Sequence, residues 1–339
     1  MNFIYTQHNL FMKFFLMSYL IYFSFISLFL YDLLMIWFIM EINNFLFICF
    51  LSIKLKNKKI IFLYYLIQAL ASLMMMLTLI INNFMYMQMD FIMINFFISI
   101  MIKLGIPPFH WWIPSVAIYL DWLSLFIFLT IQKIIPLYMI SLINLPISLL
   151  YFMILMSTFV STFKMINSMN FKILLSFSSI NQTGWMLILI YFKTLFWFSY
   201  MMFYTLILLI IIMIFTYFKM SFSFSLNNNF SSMNFNLICL LLIFNLASIP
   251  PLTFFIFKWT TIYIFLLNSN LYFIFILMIF NSFILIYVYI NLMNLMMYFY
   301  SIKIKLFNSP MYVFKFSYSY SFIFFMILSL IFSLIMILI

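Results

Sequence analysis

The sequence contains very little charge. Only 6% of its 339 residues are charged, with four acids and no arginine, whereas 69% are hydrophobic. A water-soluble globular domain carries about 25% charged residues, so this composition excludes that class. The alternating patterns of barrel strands are also absent, and a helix satisfies its own backbone in lipid. We therefore expect an all-α polytopic membrane protein.

The chain is also poor in cysteine and glycine, with two of each. Cys49 and Cys239 both lie in apolar runs, which argues against a disulfide framework and against a cysteine metal site. No glycine-rich phosphate loop or cysteine cluster is present. The expectation is a chain without metal, nucleotide, flavin or iron–sulfur cofactor.

The abundant residue types point to an organelle gene. Phe, Ile, Met, Lys, Asn, Tyr and Leu dominate, and each has a codon made of A and T alone. The 31 methionines fit a genetic code that reads ATA as Met. Mitochondrial encoding is the leading hypothesis, and the net charge of +11 is then a matter of membrane topology, with no nucleic-acid partner expected.

Apolar runs long enough to cross a hydrocarbon core, about 20 residues each, predict eleven spans. They lie near 14–30, 33–53, 60–80, 91–111, 116–140, 147–164, 172–192, 195–217, 236–267, 271–298 and 319–339.

The lysines support this segmentation. Inner loops should carry the lysine excess, and with the N-terminus inside, the inner loops and flanks hold eleven of the fifteen lysines. These are Lys13, Lys54, Lys56, Lys58, Lys59, Lys164, Lys172, Lys219, Lys303, Lys305 and Lys315. Only Lys193 is predicted to lie in a loop on the outer side of the membrane. In a mitochondrion this predicts the N-terminus on the matrix side and the C-terminus on the intermembrane-space side.

Four charges lie inside apolar runs: Glu41, Lys103, Lys133 and Lys258. An ionised group at bilayer depth costs at least about 2.5 kcal/mol and commonly marks an ion or proton pathway. Glu41 and Lys103 have similar depths in parallel spans and are expected to pair, either as part of a relay or as a static salt bridge. Lys133 and Lys258 have no acid left within the spans, so they are hydrated, partnered from another chain or neutral. We predict that the four form a proton relay.

Two proline pairs interrupt apolar runs beside these lysines. Pro107–Pro108 follows Lys103, and Pro250–Pro251 precedes Lys258. Proline removes a helical hydrogen bond, and the freed carbonyls are tolerated at depth only against protein or a wet cavity. The pairs therefore predict two broken helices, which mark ion sites in transporters, with a kink that only shapes packing as the alternative.

The spacing of the two breaks predicts an inverted repeat. They fall in the fourth and ninth spans, and a separation of five reverses the direction of the helix. The first five-helix repeat would cover residues 1–140 and the second residues 147–298. Residues 319–339 would form a C-terminal lateral helix.

Several blocks carry a resemblance to a known family. They are Met40-Glu41-Ile42-Asn43, the run from Lys103 to Pro114, Gln132-Lys133, the run from Ser178 to Met186, and Ile249-Pro250-Pro251 with Lys258-Trp259. With these blocks in this order, the chain resembles mitochondrial NADH-ubiquinone oxidoreductase chain 2, a family of antiporter-like subunits of respiratory complex I.

The resemblance implies a proton-translocating membrane-arm subunit of NADH:ubiquinone reductase, in contact with other membrane-arm subunits and with lipids of the inner mitochondrial membrane. NADH, flavin, iron–sulfur clusters and ubiquinone would belong to other subunits. Glu41 and Lys103 would be the charged pair, Lys133 the connecting lysine and Lys258 the terminal lysine that exchanges protons with the outer side.

Two positions depart from the family pattern. The segment 245–248 reads Asn-Leu-Ala-Ser where the family is rich in glycine, and Gln182 stands where many members carry histidine. A relay step that needs a titratable group at Gln182 would fail. A water path there would rely on Ser178, Ser179 and Asn181.

Some alternatives stay open from the sequence alone. His110 either accepts protons from the matrix side or is an interfacial histidine beside Trp111 and Trp112. The whole chain could also be a cation/proton antiporter subunit, or a non-pumping scaffold whose charges are structural.

Overall fold

The computed structural model describes residues 2–84, 89–143, 146–168, 170–192, 194–217, 242–250, 252–268 and 272–306. Within these ranges the regular elements are all helices. Eight described segments are long and apolar enough to cross a membrane, and two shorter apolar helices, Ile92–Leu104 and Thr253–Leu266, accompany them. The all-helical membrane fold expected from the composition is confirmed. The predicted span at 319–339 lies outside the described residues.

The helices follow one another with short connections. The first half contains α1 (Asn2–Ile26), a 3-10 turn (Ser27–Phe29), α2 (Leu33–Lys54), α3 (Lys58–Phe84), α4 (Met89–Leu104), α5 (Trp112–Tyr119), α6 (Trp122–Leu129) and α7 (Ile131–Leu142). The second half contains α8 (Ile147–Ile166), α9 (Phe171–Tyr191), α10 (Phe196–Tyr217), the described helical stretch 242–247, here α11, then α12 (Thr253–Asn268) and α13 (Tyr272–Leu306).

The predicted fourth and fifth spans differ from the observed helices. The predicted fourth span, 91–111, is helical only to Leu104, where α4 ends. The next helix, α5, begins at Trp112, beyond the proline pair. The fifth span begins at Trp122 and not at residue 116, because Leu120 and Asp121 adopt extended backbone between α5 and α6. Thr130 interrupts it again between α6 and α7.

Helix α9 is the central helix of the described fold. In its span 94% of the residues are buried, compared with 33% in the spans of α2 and α3. It contacts α5, α6, α7, α8, α10 and α12. Because lipid cannot hydrogen-bond to polar side chains, this burial allows α9 to carry serines and amides that an outer helix could not carry.

Close packing of α8 on α9 depends on Gly184. A Cβ atom at this position would lie 2.5 Å from Thr158 Cγ2 and 2.6 Å from Ser157 Oγ. Small residues let membrane helices approach closely where no hydrophobic effect drives them together. The α8 face that meets α9 supplies the small hydroxyl residues in this contact.

Lys172 connects the two halves of the chain at the start of α9. The sequence places Lys172 in a flank on the inner side of the membrane, and in the structure its side chain is buried. Its amine donates hydrogen bonds to the carbonyls of Leu120 and, at 3.3 Å, Ile118, and lies 5.3 Å from the centre of the Trp122 ring. These carbonyls lie at the C-terminal end of α5, where helical partners are missing. Lys172 therefore holds α9 against the α5–α6 junction.

Candidate functional site

The first component of the site is an ion pair between α2 and α4. Lys103 Nζ lies 2.7 Å from Glu41 Oε1, and Asn44 Nδ2 donates to the same oxygen at 3.4 Å. The Lys103 side chain is 1% exposed and that of Glu41 30% exposed. It is the single salt bridge among the described residues. The structure thus brings together the two residues that the sequence expected to pair, and their role in a relay stays a prediction.

The break after α4 shapes the environment of Lys103. Gly105 has φ of +62°, a left-handed conformation, and the N–H of Ile106 reaches back to the Met101 carbonyl at 3.0 Å. Trp112 Nε1 donates to the Ile102 carbonyl at 3.1 Å. Lys103 lies in the last turn of α4, where the partial negative charge of the helix C-terminus favours a cation. The C-terminal turn of α4 therefore favours a positively charged side chain at Lys103.

A cavity joins the ion pair to the next lysine. Lys103, Gln132 and Lys133 all line it, together with Asn44, Tyr64 and Gln68. It is wide enough for about one water molecule. Apolar side chains, among them Met40 and Phe128, complete the lining. Lys103 and Lys133 therefore border the same small space.

Lys133 follows an irregular point in its helix. The Thr130 N–H and hydroxyl both bond to the Phe126 carbonyl, and Pro136 cannot donate to the carbonyl of Gln132 four residues earlier. Lys133 Nζ donates to Ser179 Oγ on α9 at 2.9 Å. This amine therefore points across the boundary between the two halves of the chain and meets a hydroxyl group.

The polar face of α9 contains the accessory residues expected from the sequence. Ser178 and Ser179 are completely buried, and Asn181 is buried beside them. Neither side-chain polar atom of Asn181 has a hydrogen-bond partner within the described part of the chain. Gln182 accepts a hydrogen bond from the Tyr200 hydroxyl on α10. Buried polar atoms of this kind are commonly satisfied by internal water, so this face suits a water path.

Lys258 lies on α12, beyond the second break. Its Nζ donates to Ser248 Oγ at 2.6 Å and lies 5.2 Å from the centre of the Trp185 ring on α9. Asn245 Oδ1 accepts hydrogen bonds from Thr253 Oγ1 at 3.0 Å and from the backbone N–H of Phe254 at 3.3 Å. Asn245 therefore closes the break by capping the first turn of α12 from the other side.

A stripe of α9 reaches from Lys133 to Lys258. Ser179, Gln182 and Trp185 follow one another at intervals of three residues, so each neighbours the next along a stripe that turns by about 120° around the helix. Ser179 contacts Lys133 and Trp185 contacts Lys258. The rise along the helix axis from Ser179 to Trp185 is about 9 Å. The two lysines are thus neighbours of one buried helix.

His110 lies apart from these contacts. It is buried, with ring centres 5.0 Å from Trp111 and 6.3 Å from Phe177. No contact between described residues joins it to the four charges, and its predicted role stays a prediction. The sequence reasoning had instead missed Ser248, Tyr200 and Trp185. Ser248 gave a signal as part of the segment that departs from the glycine-rich family pattern, and Trp185 lies in the family block from Ser178 to Met186. Tyr200 gave none.

Comparison with known proteins decides the family. No protein-family model matches the chain. NADH-ubiquinone oxidoreductase chain 2 of Rhipicephalus sanguineus is 31% identical over 259 residues, which cover 72% of this chain and 76% of the relative. The Anopheles gambiae protein of the same name is 30% identical over 67% of this chain and 69% of its own. The chain belongs to the NADH-ubiquinone oxidoreductase chain 2 family.

This assignment confirms the family expected from the residue blocks. The same-named Aedes aegypti protein is 33% identical over 178 residues, about half of each chain at 52%. Among solved structures, a chain of respiratory complex I from Thermus thermophilus matches with a TM-score of 0.75 at 16% identity, covering 96% of this chain and 78% of that one. A chain of the Mrp complex from Dietzia sp. matches with 0.61 at 12% identity, covering 73% and 55%. At these identities the structures establish a shared fold.

Proposed function

We propose that this chain is a core membrane-arm subunit of NADH:ubiquinone oxidoreductase in the inner mitochondrial membrane. It would translocate protons through Glu41, Lys103, Lys133 and Lys258, coupled to electron transfer from NADH to ubiquinone in other subunits. We propose that it contributes no redox group and works only among its neighbouring subunits. The N-terminus would lie on the matrix side and the C-terminus on the intermembrane-space side.

The connected set of contacts is the observation that supports this proposal best. Glu41 binds Lys103, a water-sized cavity separates Lys103 from Lys133, and Lys133 binds Ser179. The buried face of α9 then leads to Lys258. A static scaffold needs no such continuity, because isolated charges in a membrane protein can each be satisfied locally.

Each group has a role that its environment allows. Weakening the Glu41–Lys103 pair would leave a positive amine beside the cavity, and this would favour proton release from Lys133 on the opposite wall. A proton released there would move along the hydroxyls and internal water of α9. Lys258 would take it up and pass it to the outer side. The steps from Glu41 to Ser179 involve groups in contact or lining one water-sized cavity, and the step from Ser179 to Lys258 would need a chain of internal water along α9.

The repeat division is also part of the proposal. At both breaks a left-handed residue precedes Ile-Pro-Pro, and the same three backbone hydrogen bonds surround it. This similarity supports two related halves, 1–140 and 147–298. The lateral helix at 319–339 stays a prediction from the sequence.

Substitution of the relay lysines tests the function. In inner-membrane vesicles that contain the assembled enzyme, we expect Lys258→Met and Lys133→Met to lower the proton uptake rate about a hundredfold or more, the lower end of the range for a lost acid–base group. The matched control is Lys56→Met at an exposed position, with uptake unchanged. Full pumping by assembled Lys258→Met enzyme would instead support a non-pumping scaffold.

The antiporter alternative draws on the fold shared with a chain of the Mrp complex. Purified chain in liposomes separates the two functions. An antiporter subunit would exchange sodium for protons by itself, whereas a complex I subunit would show no transport without its partners.

A further inference from the structure

The two helix breaks have the same backbone geometry at the residue that precedes Ile-Pro-Pro. Gly105 and Ser248 have φ of +62° and +60°, and each is followed by Ile-Pro-Pro. In both breaks the N–H of the left-handed residue bonds to the carbonyl three residues earlier, at 3.2 and 2.9 Å. The next N–H reaches five residues back, at 3.0 Å for Ile106 and 3.3 Å for Ile249. Ser248 is therefore the structural counterpart of Gly105.

The two breaks differ in the side chain of the left-handed residue, which is glycine at 105 and serine at 248. A Cβ at Gly105 would lie 2.0 Å from Ile113 Cδ1, so the first break has no room for one. The second break has a serine, although a left-handed backbone is unfavourable for a residue with a Cβ. Among the described residues, Ser248 is the single non-glycine with a positive φ. A conformational cost of this kind suggests that the hydroxyl performs a task.

The hydroxyl of Ser248 contacts the amine of Lys258. The distance from Nζ to Oγ is 2.6 Å, and the exposed fractions are 5% for Lys258 and 4% for Ser248. The hydroxyl hydrogen points to the Ala247 carbonyl, which leaves the oxygen lone pairs for the amine. The Trp185 ring covers the amine from α9. No acid forms an ion pair with Lys258 in the described part of the chain.

We propose that Ser248 is a positioning residue that holds the Lys258 amine at the second break, a contact that the glycine of the first break cannot make. This inference rests on the proposed relay function of Lys258. The protonated amine donates to Ser248 Oγ. After proton release the hydroxyl can turn and donate to the neutral nitrogen, because serine is both donor and acceptor. The amine thus keeps one position in both protonation states.

Two substitutions at Ser248 separate this role from a purely structural one. Ser248→Gly removes the hydroxyl and relieves the backbone, because glycine adopts a positive φ without steric cost. Ser248→Ala removes the hydroxyl and keeps the Cβ. A structural role predicts that the glycine variant assembles and pumps at least as well as the wild type. A positioning role predicts that both variants pump more slowly than the wild type while the glycine variant assembles normally.

The measurement is the initial rate of proton uptake by inner-membrane vesicles, normalised to assembled enzyme on native gels. A hydrogen bond to a charged group changes the occupancy of a position by about tenfold or more. We therefore expect at least about a twofold lower rate for Ser248→Gly and Ser248→Ala. The control is Thr261→Ala, which removes a hydroxyl bonded to the backbone carbonyl of Lys258 and not to its amine, and its rate should equal that of the wild type.

Lys258→Met, measured in parallel, distinguishes the two proposals. If it pumps normally, the relay function fails and the role of Ser248 fails with it. If it stops pumping while Ser248→Gly pumps like the wild type, only the positioning role is overturned. Both proposals are supported if Lys258→Met stops pumping, Ser248→Gly and Ser248→Ala pump more slowly than the wild type, and Thr261→Ala pumps at the wild-type rate.

Discussion

Replacing Glu41 of the Glu41–Lys103 pair should lower the stability of the assembled protein more than replacing Lys103. Glu41→Gln leaves an amine that is 1% exposed without its counter-charge, whereas Lys103→Met leaves a carboxylate that is 30% exposed. Breaking a buried ion pair costs about 3–5 kcal/mol because the remaining charge is uncompensated. Exposure reduces that penalty, since water or a neighbouring polar group can reach the charge.

The size of the larger effect can be bounded. An unpaired lysine can lose its proton, and neutralising a lysine of ordinary pKa at pH 7 costs about 5 kcal/mol. The penalty for Glu41→Gln therefore lies between about 3 and 5 kcal/mol, which is a large part of the stability of a typical domain. For Lys103→Met we expect about half as much. The double variant removes both charges and should recover most of the loss.

The assay is the amount of assembled complex on native gels, followed by proton uptake in vesicles. Assembly should rank as wild type, then the double variant, then Lys103→Met, then Glu41→Gln, and the double variant should assemble without pumping. Additive losses in the double variant would refute the reasoning, because groups that do not interact contribute independently. A reversed order of the single variants would refute the burial argument.

Two further predictions concern α9. Ser179→Ala removes the acceptor of the Lys133 amine and should lower the proton uptake rate at least about twofold. Ser176→Ala is its control, since within the described residues that hydroxyl donates to the Ile173 carbonyl and not to a lysine amine. Equal rates in the two variants would contradict the role of Ser179. Gly184→Ala places a Cβ 2.5 Å from Thr158 Cγ2 and should destabilise the α8–α9 contact by about 1–3 kcal/mol, measured as a lower midpoint of thermal disassembly. An unchanged midpoint would show that α8 can shift at no cost.

The helical class and the two breaks could be predicted because both depend on local chemistry. Length and hydrophobicity determine whether a segment crosses a membrane, and two successive prolines remove two neighbouring helical hydrogen-bond donors. The start of the fifth span was wrong because residues 116–122 continue an apolar run without glycine or proline. Asp121 was the available signal, since aspartate favours the position before a helix. Its extended backbone precedes α6 in the structure.

The site could be predicted only in part. The four charges stand out in any sequence, because ionised groups in apolar runs are rare. The partner of Glu41 followed from depth along two parallel helices. The partners of Lys133 and Lys258 did not, because they depend on tertiary structure. Ser179 meets Lys133 only once α7 packs on α9.

The difference between these partners suggests a division of labour within the relay. A carboxylate is an acceptor only, so Glu41 favours Lys103 in its charged form and resists its deprotonation. A serine hydroxyl accepts from a charged amine and donates to a neutral one, so Ser179 and Ser248 suit both states of their lysines. A group that must gain and lose a proton in every cycle is best placed beside a partner that is indifferent to its charge. The ion pair is therefore suited to switching, in which an external change must break a strong contact. The two hydroxyl-bound lysines are suited to carrying the proton in the proposed relay, and the burial of α9 excludes lipid from Ser179 and from the stretch of helix between the two lysines.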